Sequence, residues 1–145
     1  MRDSALRSRK IGSFERCLVA APSYLKTIEK PVRPEDLTRC DFVLLEMLSD
    51  KFVLKRGKRK VAVQPEKSRI LVNSVSGARS AVLAGLGIQK LPLSEVEEDL
   101  AAGRLVRVLP EWSLPTLDIY AVWPESSHRS SLLRLLLECL LNGAT

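Results

Sequence analysis

With 145 residues, 23 Lys plus Arg against 17 Asp plus Glu, and 46% apolar side chains, the chain carries a formal charge of +6 and enough apolar material for one compact core. That composition, with 28% charged residues, excludes both a disordered tail and a coiled coil. No apolar run approaches the roughly 18 residues of a membrane span, and Met1-Arg2-Asp3-Ser4 lacks the apolar segment of a secretory signal, so a soluble, cytoplasmic chain with no membrane contact is expected.

A polar, basic stretch from Arg2 to Arg16 leads into Cys17-Leu18-Val19-Ala20-Ala21, which has the length and character of a buried strand. Pro22 ends it. A short helix follows through Tyr24, Leu25 and Ile28, and Pro34-Glu35-Asp36-Leu37 opens another, with Pro and acids in a first turn. Phe42 to Leu45 is a strand. Lys51 to Arg56 and Lys60 to Gln64 flank Gly57-Lys58-Arg59, and the alternation at Val61 and Val63 predicts a hairpin with one wet face.

Arg69 to Asn73 reads as a further buried strand that runs straight into Ser74-Val75-Ser76-Gly77 and a helix carrying Ala78, Ala81, Val82 and Leu86. Gly85 and Gly87 mark the end of that helix. Ile88 to Leu91 forms a short strand. Ser94 is expected to cap the next helix, which Glu95, Glu97, Glu98 and Asp99 favour near its positive end and Gly103 closes. Arg104 to Leu109 and Leu117 to Trp123 are strands separated by a loop with Trp112, and Ser130 to Leu141 is a final helix. Strands alternating with helices indicate an α/β fold.

Catalytic and metal chemistry find little footing. Cys17, Cys40 and Cys139 are widely spaced, without C-x-x-C or clustered His, and read as reduced, buried thiols. The single His128 stands beside Ser126, Ser127, Ser130 and Ser131, where helix capping explains it better than a hydrolase triad. No enzyme activity, metal or cofactor is expected. The final helix is unusual: eight of the ten residues from Leu132 to Leu141 are apolar, and only Arg134 and Glu138 mark a wet stripe. A helix apolar nearly all round needs cover on more than one side, which makes Leu132, Leu133, Leu136 and Leu140 candidate interface residues.

The runs Ala81-Val82-Leu83-Ala84-Gly85-Leu86-Gly87-Ile88, Leu91-Pro92 and Asp99 to Trp112 resemble the effector-binding domain of LysR-type transcriptional regulators. Ile11 to Phe14, Ala20 to Leu25, Pro34 to Leu37, Val72 to Ser74 and Leu117 to Pro124 follow in the family's order. The resemblance implies an effector domain like a periplasmic binding protein, made of two α/β subdomains. Residues 17–115 would form the second subdomain nearly complete, and residues 1–16 and 116–145 the returning part of the first. It also implies a small-molecule effector, assembly into a homo-oligomer, and DNA contact only through a helix-turn-helix absent from these residues.

Within that frame, Asn73, Ser74, Val75 and Ser76 stand where a buried strand meets a helix N-terminus, a place that suits both helix capping and an anionic effector. Ala21 and Pro22 would lie across the cleft. Gln89-Lys90 replaces two residues that are commonly apolar in the family, so Lys90 is expected either to reach solvent, the preferred reading, or to help bind an anion. Lys51, Lys55, Arg56, Lys58, Arg59 and Lys60 place six positive charges in ten residues. Protection of a hairpin edge accounts for them better than phosphate contact. An alternative to the sensing domain is a free-standing truncated protein that pairs with intact regulators through its final helix; a transport binding protein is disfavoured.

Overall fold

The computed structural model describes residues 6–46 and 48–124. The chain divides into two compact units, one of residues 15–115 and one of residues 1–14 with 116–145. In the second of these, the described part is an antiparallel ribbon of β1 (Leu6–Phe14) and β9 (Leu117–Pro124), running from Leu6 opposite Pro124 to Phe14 opposite Leu117. An irregularity between Lys10 and Gly12 shifts its register, and Lys10 pairs with Asp118 at 3.3 Å. The basic opening stretch thus contains a strand that its charged pattern concealed.

The unit of residues 15–115 is built on a mixed sheet. β2 (Arg16–Ala20) lies antiparallel between β7 (Gln89–Pro92) and the short β8 (Val106–Arg107), while β3 (Asp41–Leu45) runs parallel to β6 (Lys67–Val72). A parallel bridge between Phe42 and Ile88, with Val43 N–H donating to Ile88 O at 3.0 Å and Ile88 N–H to Asp41 O at 2.9 Å, joins the two sets. The resulting order is β6-β3-β7-β2-β8.

Both faces of this sheet are covered, so β2 is apolar from Cys17 to Ala20 instead of alternating. On one face Cys17, Val19, Val43, Leu45 and Leu91 pack with Ala78 and Val82 of α2 (Val75–Leu83) and Val96 of α3 (Leu93–Ala101). On the other, Leu18, Phe42 and Ile88 pack with Leu37, with Trp112 and with Phe52, Leu54 and Val63 of the hairpin β4 (Phe52–Arg56) and β5 (Arg59–Val63). Each fully buried side chain such as Leu37, Leu54, Ile88 or Leu91 contributes roughly 1.5–3 kcal/mol of transfer free energy.

Several elements differ from the sequence expectation. The helix after Pro22 stops at Leu25 (α1), and Pro34–Arg39 is a 3-10 helix rather than an α-helix. α3 begins at Leu93, whose N–H donates to Glu15 O at 2.9 Å, so Ser94 lies inside the helix and does not cap it. The strand expected from Arg104 to Leu109 shrinks to two residues: the Arg104 and Leu105 amides both donate to Asp99 O in the turn that closes α3, and Leu109 takes a positive φ of 54°. β6 is largely exposed, with Leu71 at 60%; among the described residues it is the outer strand of the sheet and pairs with β3 alone.

Candidate functional site

β3, β6 and β7 point the same way, so their carboxyl ends share one rim of the sheet, where ligands of open α/β folds gather. β6 delivers Asn73 and α2 to that rim. The helix is capped by Ser74, whose Oγ accepts from Gly77 N–H at 3.0 Å; Asn73 is exposed and does not cap. The amides of Val75 and Ser76, in the first turn, have no acceptor among the described residues. Free first-turn amides and the helix dipole together favour an anion.

The four turn residues do not converge as side chains. Val75 packs against the core, so it offers the rim only its N–H. Ser76 borders a cavity of about 310 Å³ shared with Arg79, Ser94, Glu95, Glu97 and Glu98. Three carboxylates disfavour an anion there, which leaves the Ser74 side of the turn as the receptive one.

Two cations sit on the same rim. β2 runs against β7, with Arg16 opposite Pro92 and Leu18 opposite Lys90, so the amino end of β2 meets the carboxyl end of β7. Lys90 does not reach solvent: it is 5% exposed, donates from Nζ to Ser49 O at 3.0 Å and lies 5.1 Å from the centre of the Phe52 ring. Burial, with the nearby Arg16 charge, pushes its ammonium down to about 8, while Asp50 acts in the opposite direction. Arg16 donates from Nη2 to Pro115 O at 3.2 Å, whereas its buried Nε has no partner among the described residues. Arg16 was missed in the sequence because it closes a generally basic stretch; Gln89-Lys90 was the available signal.

Ala21 and Pro22 are placed elsewhere. Because β2 is antiparallel to β7, its carboxyl end lies on the opposite rim. There Ala21 O accepts from Tyr24 N–H at 3.0 Å and from Leu25 N–H at 3.2 Å, and Ala21 is buried. Ser23, the next residue after Pro22, lies against Gly85 at the far end of α2, a helix about 13 Å long. Ala21 and Pro22 are therefore not brought to Asn73–Ser76. Leu132, Leu133, Leu136 and Leu140, like His128 and Cys139, lie outside the described residues.

The sequence profile of the LysR substrate binding domain matches residues 2–145. The chain belongs to this family. Among curated proteins it is 35% identical over 141 residues to the HTH-type transcriptional regulator PtxR of Pseudomonas aeruginosa, covering 96% of this chain and 45% of that one. It is 31% identical over 124 residues to the probable HTH-type transcriptional regulator YhaJ of Escherichia coli, over 86% of this chain and 40% of that protein. Among solved structures it resembles the regulatory domain of AphB in Vibrio vulnificus, with a TM-score of 0.77 at 34% identity, over 96% of this chain and 70% of the other. The full-length Vibrio cholerae virulence activator AphB, a member of the LTTR protein family, gives 0.78 at 30%, over 98% and 49%.

The LysR-type domain thus spans a little under half the length of these curated relatives, and its fold is that of LysR-type regulatory domains. The relatives are transcriptional regulators. In this LysR-type domain the Cys17 and Cys40 thiols are buried and free, and burial pushes both up, away from the reactive thiolate. Among the described residues no group of three or more His, Cys, Asp and Glu is placed to hold a metal ion. No described helix is long and apolar enough to cross a membrane.

Proposed function

We propose that this chain is the sensing and oligomerising part of a DNA-binding regulator, and that its effector is a small anionic metabolite held at the β6–α2 turn. The observation that carries the reading is the capped N-terminus of α2: Ser74 takes the Gly77 amide and leaves those of Val75 and Ser76 unengaged, on the rim that also holds Arg16 and Lys90. Lys90 stands two strands from β6, roughly 10 Å at ordinary strand spacing, close enough for its charge to act on an anion there. In this reading DNA contact belongs to a helix-turn-helix outside these 145 residues.

No bond is made or broken. The effector shifts a pre-existing equilibrium between two arrangements of the regulator by its difference in affinity for them, and a hundredfold difference supplies about 2.7 kcal/mol. Assembly is part of the same proposal, through the apolar run Leu132, Leu133, Leu136 and Leu140. Replacing Leu136 with Arg is expected to lower the mass measured by light scattering; an unchanged mass in a folded variant removes that part.

The effector claim is tested by melting the protein against sulfate, phosphate and a series of short mono- and dicarboxylates. At least one is expected to raise Tm, and Ser74→Phe with Ser76→Phe to abolish the rise. A rise that survives both replacements places the ligand elsewhere.

A further inference from the structure

The outer face of the β4–β5 hairpin carries a second, separate arrangement. Gly57 has φ +60° while Lys58 does not share the positive region, the pattern of a type II′ turn, and the two-residue connection sets Lys55 directly opposite Lys60. Lys55 donates its N–H to Ser113 O at 2.9 Å and accepts from Ser113 N–H at 2.8 Å. Its backbone therefore faces away from β5, which makes Lys55 and Lys60 a non-hydrogen-bonded pair, the kind whose side chains stand closest.

Like charges directly opposed destabilise a strand pair. Here neither lysine forms an ion pair among the described residues. Arg59, the next residue, is different: it pairs with Glu35 at 3.0 Å and lies 5.4 Å from the centre of the Trp112 ring, on the core side of the hairpin. Arg56, opposite Arg59, thus faces a charge that an acid compensates, whereas the Lys55–Lys60 pair on the outer face has no acid among the described residues.

That face is also concave and apolar. Val53, Lys55, Lys60, Ser113, Leu114 and Pro115 line a cavity of about 500 Å³. Val53 shares the face of Lys55 because side chains two apart along a strand point the same way. Among the described residues no acid lines the cavity. Its volume falls within the range of small-ligand sites, roughly 300–1,000 Å³.

We propose that this cavity binds an amphipathic organic anion: a carboxylate between the Lys55 and Lys60 ammonium groups and an aliphatic or aromatic body, of roughly six to ten carbons, on Val53, Leu114 and Pro115. The anion relieves the lysine repulsion, and its body covers apolar surface. A nucleic-acid backbone would satisfy the charges alone. It would leave the apolar floor unused and would find no aromatic side chain among the described lining residues on which to stack a base. The site shares no residue with the α2 N-terminus and does not rest on the effector reading.

Sodium octanoate is the probe, titrated into the whole chain by calorimetry and by ¹⁵N-resolved chemical shifts, with butanoate, 1-octanol and inorganic phosphate as comparisons. Octanoate is expected to bind at one site, at least tenfold more tightly than butanoate or phosphate, and to move the amides of Lys55, Lys60 and Leu114. Lys55→Gln with Lys60→Gln should weaken it tenfold or more, Lys55→Arg with Lys60→Arg should retain it, and 1-octanol should bind more weakly than octanoate. Three results overturn the proposal: no saturable octanoate binding by the unaltered chain, shifts confined to other residues, or phosphate binding as tightly as octanoate. The shift map on the unaltered chain decides even if a variant fails to fold.

Discussion

Arg79 reaches from α2 to α3 and grips Asp99 at both oxygens, Nε to Oδ2 at 2.8 Å and Nη2 to Oδ1 at 2.9 Å, while Arg104 adds a third bond at 2.9 Å. The Asp99 side chain is fully buried, and the two arginines are 36% and 53% exposed. This pair locks the two helices that cover one face of the sheet. Removing Asp99 as Ala leaves two guanidinium groups that water can partly rehydrate, so the expected loss is about 2–3 kcal/mol, below the 3–5 of a wholly buried pair. Urea unfolding of D99A beside the unaltered chain checks it; a loss under half a kcal/mol would show that packing alone holds α2 on α3.

Acid should unfold the unit of residues 15–115 through two carboxylates. The Arg79 hydrogen bonds hold Asp99 below the usual carboxylate range. Amide donors from Val32 and Arg33, at 2.9 and 3.0 Å, hold Asp36 at about 2. A folded-state value below the unfolded one contributes stability that is present above the unfolded value, near 3.9, and lost as pH falls through the folded one. Melting temperature is therefore expected to drop between about pH 4 and 2. The double variant D36N/D99N, already less stable at pH 7, should show a flatter profile over that window, and an unchanged slope would count against these two groups.

Lys90 gives a slope of the same sign but, unlike the two carboxylates, its charge costs stability at neutral pH. Its folded-state value of about 8 lies below the usual 10.5, so the folded chain releases this proton first and stability rises between pH 8 and 10.5. Lys90→Leu is expected to raise stability at pH 7 by about 1–2 kcal/mol, because the Ser49 carbonyl and the Phe52 ring already return part of the burial cost. The variant should also lose the upward slope and weaken anion binding at the rim. A destabilised K90L would mean that its hydrogen bond outweighs the burial penalty.

Gly87 sits at φ +152°, and a Cβ there would stand 2.5 Å from Asp41 O, the oxygen that accepts from Ile88 in the bridge joining β3 to β7. Gly87→Ala must strain its own backbone and push a sheet strand aside. A loss of roughly 3 kcal/mol is expected from unfolding curves. Retained stability would indicate that the bridge is dispensable.

The sequence showed most of the sheet. Continuous apolar runs marked β2 and β3, alternation marked the hairpin, and a polar cap marked α2. It hid β1, because a ribbon strand with exposed Arg7, Ser8, Arg9 and Lys10 has no apolar period to read. It misplaced Ala21 and Pro22 relative to Asn73–Ser76, because strand direction is a property of pairing: β2 alone, read along the chain, does not reveal that it runs against β7. Lys90 stood out as a charge in an apolar strand, whereas its nearness to Arg16 depends on that same antiparallel register.

The most direct test of the effector reading is a ¹⁵N chemical-shift titration of the whole chain with sulfate and then with the carboxylate that raises Tm most. Saturable shifts are expected at Val75, Ser76 and Gly77, with Lys90 and Arg16 responding at the same midpoint and the amides of Ala21 and Ser23 unmoved. Saturation centred on Ala21–Ser23, or no saturable shift at the α2 N-terminus, would contradict the account.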